Sequence, residues 1–271
     1  REVKFSTSVF FRLLTAACGA ALAETLVDFI DCVIVGHVLG ETALAGYELF
    51  LPVTNVVGAV ALLIAGGTAV VHSQAMGCFD RERANGAFST GVIAAVLIGL
   101  VGAIALWFGL DVYLGFFGAD EESLAFARAY GRVYGLVVLV YPLLVCLLTM
   151  VLEDGGDKVF TVASVATVVV DVVVSWLLAR AFGIAGCAWG TLAAVVVAIA
   201  ILLFHFRTKA CSLAFRFGFS PPLARRILVA NPGDPLSELM DAFTLIVINW
   251  FVVRRFGSSV LPVVALVFAL D

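Results

Sequence analysis

The sequence predicts an all-α polytopic membrane protein, and three observations carry that reading. Hydrophobic residues make up 63% of the 271-residue chain, and charged residues only 13%. The mean hydropathy is +1.13, and the apolar share is well beyond the roughly half-apolar usage of soluble globular domains. Apolar runs of about 20 residues, the length that crosses a hydrocarbon core about 30 Å thick, recur along the whole chain. A soluble core would show amphipathic stripes instead, so soluble classes are excluded.

The spans follow in order from the loops that separate them. Residues 11–35 read as helix 1 and 43–71 as helix 2, with Pro52 expected to kink the latter. Helix 3 covers 86–110 and helix 4 covers 131–152, where Pro142 is a second expected kink. Helices 5 and 6 cover 159–182 and 184–206, helix 7 covers 236–256, and an eighth begins near Ser258. Two gaps are longer. Residues 111–130 contain GADEESLAFARAY, which predicts a short amphipathic surface helix capped by Asp120, with Glu121 and Glu122 in its first turn. Residues 207–235 hold five basic residues and four of the 7 prolines, which predicts a linker.

These elements give three segments. Residues 1–206 form an N-terminal six-helix transmembrane bundle, 207–235 a cytoplasmic linker, and 236–271 the start of a second, like-oriented bundle. Helix 7 echoes the opening helix in outline, with early acids (Glu24 and Asp28; Glu238 and Asp241) and then a glycine four residues before a leucine (Gly40 and Leu44; Gly257 and Leu261). Two like-oriented halves are a transporter design. The terminal VLPVVALVFALD stops inside an apolar run and reads as a C-terminally truncated chain. With the N-terminus taken as cytoplasmic, that side collects eleven of the 16 basic residues and the other side five, so an inside N-terminus in the plasma membrane is predicted.

Several functions are set aside on composition. A net charge of -4 gives no reason to expect nucleic acid as a partner. The 6 cysteines lie singly with no CxxC pair and read as small buried hydrophobes, and the 3 histidines are scattered, so no metal site is expected. The acids of LEDGGDKVF (Glu153, Asp154, Asp157) invite a metal-dependent enzyme at the membrane surface, but no further acids or phosphate anchor follow, and a Gly-rich turn is the better reading. No enzyme and no cofactor are predicted.

The residues that point to chemistry are acids inside the spans. Glu24, Asp28 and Asp31 are spaced by four and three, which places them on one helix face. An ionised carboxylate facing lipid costs several kcal/mol, so the stripe must face a wet cavity, meet a partner or hold protons. Such a group can exchange a proton, or Na⁺ at Asp31, since carboxylates with amide or carbonyl oxygens also suit a hard cation. Asp171 stands among valines in VATVVVDVVVSW, and the only tolerable direction for it is inward. Asn55, Glu238 and Asn249 are further candidates to line a substrate cavity. The 22 phenylalanines can wall a site for bulky organic cations, although lipid contact and core account for most of them.

The stretch DFIDCVIVGHVLGETALAGYELFLPV resembles the helix 1 to helix 2 pattern of the multidrug and toxic compound extrusion family: an Asp five residues before a Gly, then LG and a later ALA. MGCFDRERANGAFST, LEDGGDKVF and FGIAGCAWGT continue the resemblance over nearly the whole chain. It implies two six-helix bundles around a central cavity in a monomer, and antiport of organic cations or drugs against Na⁺ or H⁺. It also implies coupling acids in helices 1 and 5. Asp31 falls on the first of these places; Val173 occupies the usual helix 5 place, with Asp171 two residues before it. Glu24 and Asp28 lie outside the pattern. The wider group includes exporters of polysaccharides and lipid-linked substrates, the alternative function.

Overall fold

The computed structural model describes residues 29–208, 211–216 and 218–268. Within them the chain is a bundle of long helices: α1 (Phe29–Leu39), α2 (Glu41–Gly77), α3 (Arg81–Phe117), α4 (Glu121–Glu153), α5 (Asp157–Phe182) and α6 (Ile184–His205). A short α7 (Pro221–Ala230), α8 (Gly233–Phe256), a 3₁₀ turn (Ser258–Val260) and α9 (Leu261–Phe268) follow. Six of these, α2 to α6 and α8, are long and apolar enough to cross a membrane. The all-α polytopic class read from the sequence is the one observed.

One expectation is corrected. Residues 121–130 are not a separate surface helix but the first turns of α4, which runs unbroken for 33 residues. Asp120 caps it as foreseen, accepting from the Ser123 N–H at 2.9 Å. The continuity has a packing cause: Gly131, which looked like a boundary, presses against Phe50 and Leu110 so closely that an added Cβ would sit 2.7 Å from Phe50 Cε2. The stretch 207–235, expected as a linker, contains α7. Pro221 and Pro222 occupy its first turn, where a missing N–H costs nothing, and Ile227 is buried against Val71 and Ala87. The helices are also longer than the apolar runs alone indicate. At 37 residues each, α2 and α3 are about 55 Å long and outreach a hydrocarbon core about 30 Å thick. Pro52 and Pro142 both lie inside continuous helices.

The core is built from aromatic rings and small residues. Tyr47 and Phe50 of α2 meet Tyr130 of α4 edge to face at 5.4 and 5.1 Å, and Phe50 meets Tyr134 at 5.2 Å. Glycines admit close approach: a Cβ at Gly99 would overlap the Leu139 carbonyl, one at Gly186 the Leu178 carbonyl, and one at Gly190 Ser175 Oγ. Gly183, at φ 64, makes the turn that folds α5 and α6 into a hairpin. Exposed Val101, Phe108, Val112, Val165 and Val169 on α3 and α5 suit contact with lipid chains.

At the end where α6 stops, the linker is pinned to the bundle by side chains from one of the quoted motifs, MGCFDRERANGAFST. Asn85 Oδ1 accepts from Ala214 N–H at 3.0 Å, and Ser89 Oγ accepts from Arg216 N–H at 2.9 Å. Gly66 and Gly67 of α2 leave room for Asn231 and the Ile227 carbonyl. From there α8 runs antiparallel along α2, with Glu238 beside Gly58 and Asn249 beside Glu48.

Gly190→Ala is expected to force Ser175 away and to destabilise the α5–α6 hairpin by about 1–3 kcal/mol, the usual range for overpacking. The check is thermal unfolding in detergent, where a melting temperature equal to the parent's contradicts the close approach.

Candidate functional site

Asp31 on α1 and Asp171 in the middle of α5 are 5% and 2% exposed. Both lie close enough to Tyr130 of α4 and Cys187 of α6 to act on them electrostatically, so four helices converge on the two acids. Ser175 Oγ, one turn along α5, donates to Asp171 Oδ1 at 2.9 Å, and Thr191 Oγ1 of α6 reaches the same oxygen at 3.2 Å. The same hydroxyls lie 3.2 and 3.3 Å from the Cys187 carbonyl oxygen, a second acceptor for each proton. Gly190 allows this because α6 can approach Ser175 without a side chain between them.

The orientation of α5 decides between two positions. Val173 is 50% exposed and turns away from the bundle, whereas Asp171 faces its interior. Two residues along a helix rotate a side chain by about 200°, so only one of the pair can point inward. In this chain that residue is the acid.

The remaining candidates sort by place. Glu24 and Asp28 lie outside the described residues. Asn55 is half-buried on α2, with its Oδ1 3.5 Å from Thr54 Oγ1. Glu238 is half-buried where α8 passes Gly58. Asn249 is fully buried, and its Nδ2 donates to the Glu48 carbonyl oxygen at 3.1 Å, joining α8 to α2. Sequence reasoning missed Glu48, which is itself fully buried. Its signal in YELF is the one that marks Asp31, an acid inside an apolar run.

The cysteine and histidine reading also needs correction in part. Cys32, Cys146 and Cys187 are buried, but Cys78 is exposed and Cys211 half-exposed. Asp154, His205 and Cys211 bring their ligand-type atoms within 4.8 Å of one another at the end of α4. The Asp154 carboxylate is already engaged there: His205 Nε2 lies 2.8 Å away, Ser212 N–H donates at 3.0 Å, and the Ser212 hydroxyl donates as well. Burial pushes the Asp154 pKa up, but the hydrogen bonds from Ser212 and His205 together outweigh it and hold the group below the usual carboxylate range. This carboxylate is a structural tie for the linker.

Membrane-length helices gathered around buried carboxylates define an integral membrane protein built like a multispan transporter. The chain matches the MatE family model over residues 16–177 and belongs to that family, whose members are multidrug transporters and not enzymes. It is 22% identical over 237 residues to the multidrug export protein MepA of Staphylococcus saprophyticus, a match covering 85% of this chain and 52% of that protein. Among solved structures it is similar to an inward-facing multidrug resistance MATE transporter of the MOP superfamily, with a TM-score of 0.85 at 22% identity, over 90% of this chain and 57% of that one. The outward-facing form gives a TM-score of 0.79 at 22% identity, over 96% and 62%. The chain thus spans about half the length of the curated relative it matches.

Because the folded-state pKa of Asp154 is depressed, its tie stabilises the linker at pH above the ordinary carboxylate value and is lost as pH falls through the depressed one. Hydrogen bonds to a charged group contribute about 1.5–3 kcal/mol each, so Asp154→Ala is expected to raise hydrogen exchange of residues 211–216 at neutral pH by roughly tenfold or more. Acid should produce the same rise in the parent, after correction for intrinsic exchange rates. Equal protection in parent and variant contradicts the tie.

Proposed function

We propose that this chain carries the coupling bundle of a secondary active exporter, in which Asp31 and Asp171 hold an H⁺ or Na⁺ that an organic cation or drug displaces. The observation that supports this most is the pair of inward-facing acids acting on the same Tyr130 and Cys187 from different helices. Buried carboxylates in a membrane bundle are costly and persist where they bind a cation, a proton or a partner.

The hydroxyls give the pair two states. With Asp171 ionised, Ser175 and Thr191 donate to its Oδ1. Once Asp171 takes a proton, both hydroxyls can turn to the Cys187 carbonyl without being left unsatisfied. The exchange alters how α5 is tied to α6 at little energetic cost. Sodium suits the same place, since two carboxylates, two hydroxyls and a carbonyl are hard oxygen donors. Whichever ion binds, it biases inward- and outward-open states only through its different affinity for each.

The proposed setting is the plasma membrane with the N-terminus cytoplasmic, and the working unit is a monomer of full transporter length. Glu24, Asp28, Asn55 and Glu238 are proposed to line the cavity. A flippase for lipid-linked or polysaccharide substrates needs cations inside to meet phosphate. No Lys or Arg is buried among the described residues, which favours the cation exporter.

Efflux of ethidium from cells expressing the protein is expected to fall when either the proton or the sodium gradient is collapsed, and the one that matters names the ion. Asp31→Asn and Asp171→Asn should each reduce efflux by about 5- to 150-fold at unchanged expression, the range for coupling energies of about 1–3 kcal/mol. Unaltered efflux in both variants contradicts the assignment.

A further inference from the structure

Glu48 presents a problem that the Asp31–Asp171 pair does not address. It is 0% exposed, and so is Asn249, the α8 residue that faces it. The Asn249 amide lies against the Glu48 carboxyl; one N–H of its Nδ2 is donated to the Glu48 main-chain oxygen, and the other is out of hydrogen-bond geometry with the carboxylate. Among the described residues no donor with hydrogen-bond geometry reaches Glu48 Oε1, Glu48 Oε2 or Asn249 Oδ1. Three buried acceptors meet with nothing to accept from. Such a cluster is strongly unfavourable with the carboxyl ionised, and one proton resolves it: a carboxylic acid O–H can donate to Asn249 Oδ1.

The surroundings favour a proton over a metal ion or an ion pair. From α3, Tyr113 is the ionisable group that acts on Glu48, and its hydroxyl is donated to the Leu49 carbonyl at 2.8 Å. From α4, Tyr130 and Tyr134 meet the neighbouring Tyr47 and Phe50. On α8, Arg254 is turned onto the Trp250 ring, 5.3 Å from its centroid. The 3₁₀ turn and α9 carry no ionisable side chain.

The position gives the proton a mechanical consequence. The Glu48–Asn249 contact belongs to the end of the fold where α8 and the turn after it dock on the first bundle. There Trp250 stacks on Phe116 at 6.5 Å, and the Ser258 hydroxyl meets Asp120. We propose that Glu48 and Asn249 form a second proton-binding site at the α2–α8 contact, and that its proton latches this end of the molecule shut. When Glu48 loses the proton, the carboxylate has no donor in hydrogen-bond geometry among the described residues and gains by reaching water, which requires α8 to move off α2. This latch needs no knowledge of what the protein carries, and it is separate from the Asp31–Asp171 exchange.

The test uses spin labels at the exposed positions Glu122 and Ser259, introduced as Glu122→Cys and Ser259→Cys with the native cysteines replaced by alanine, and reads their distance in liposomes as pH is raised. The parent is expected to show one short distance in acid and a growing longer population as pH rises. Glu48→Gln, whose amide permanently supplies the missing donor, should stay short throughout. Infrared spectra provide a readout independent of motion, since the carboxylic acid C=O band present at low pH should lose a component in Glu48→Gln. A parent distance that ignores pH overturns the latch. So does a titration that survives Glu48→Gln and disappears in Asp31→Asn, or an acid band left unchanged by Glu48→Gln. Neither readout involves substrate or efflux, so failure of the exporter reading leaves this result interpretable.

Discussion

The structure turns on one constraint: a carboxylate placed in a membrane-length helix must find something other than hydrocarbon to face. Each ionised acid left toward lipid would cost several kcal/mol, a large share of the stability of any single domain. Asp31, Asp171 and Glu48 all satisfy the constraint in the same way, by turning inward to 5% exposure or less. What differs is the company they find. Asp171 meets two hydroxyls, whereas Glu48 meets an amide that has one N–H on the Glu48 main-chain oxygen and none in hydrogen-bond geometry with the carboxylate. The first environment supplies donors to a carboxylate; the second places none in hydrogen-bond geometry among the described residues.

The packing that serves these acids is assembled from residues with little side chain. Gly183 folds the α5–α6 hairpin, and Gly186 and Gly190 bring its helices close enough for Ser175 and Thr191 to share Asp171 and the Cys187 carbonyl. The linker is fixed independently, through Asn85, Ser89 and Asp154. Along the α2–α8 contact, Glu238 passes Gly58 and Asn249 meets Glu48. A buried polar contact between two helices can act as a switch, because one proton changes its free energy by an amount comparable to a conformational bias.

Much of this was legible in the sequence because hydropathy and buried charge are local signals. The spans, the cap at Asp120 and the inward direction of Asp171 follow from residues read in place. The boundaries failed where a residue acts through a distant neighbour. Gly131 looked like a break and is a packing notch for Phe50 and Leu110; the linker hid α7 because the burial of Ile227 depends on Val71 and Ala87. The site shows the same division. Val173 or Asp171 is a question of helix phase, answered once α5 is seen against α6. Glu48 was visible as an acid in an apolar run, but its significance appears only with Asn249, 201 residues away in sequence, placed against it.

In the proposed exchange, an organic cation and a small cation compete for the acids Asp31 and Asp171. The direct measurement is binding of a lipophilic cation such as tetraphenylphosphonium to the purified protein in weak buffer, with released protons and displaced radioactive sodium counted together. Binding is expected to expel one of the two ions, and that release to disappear when Asp31→Asn and Asp171→Asn are combined. Binding that expels neither ion, or release that persists in the combined variant, would contradict it.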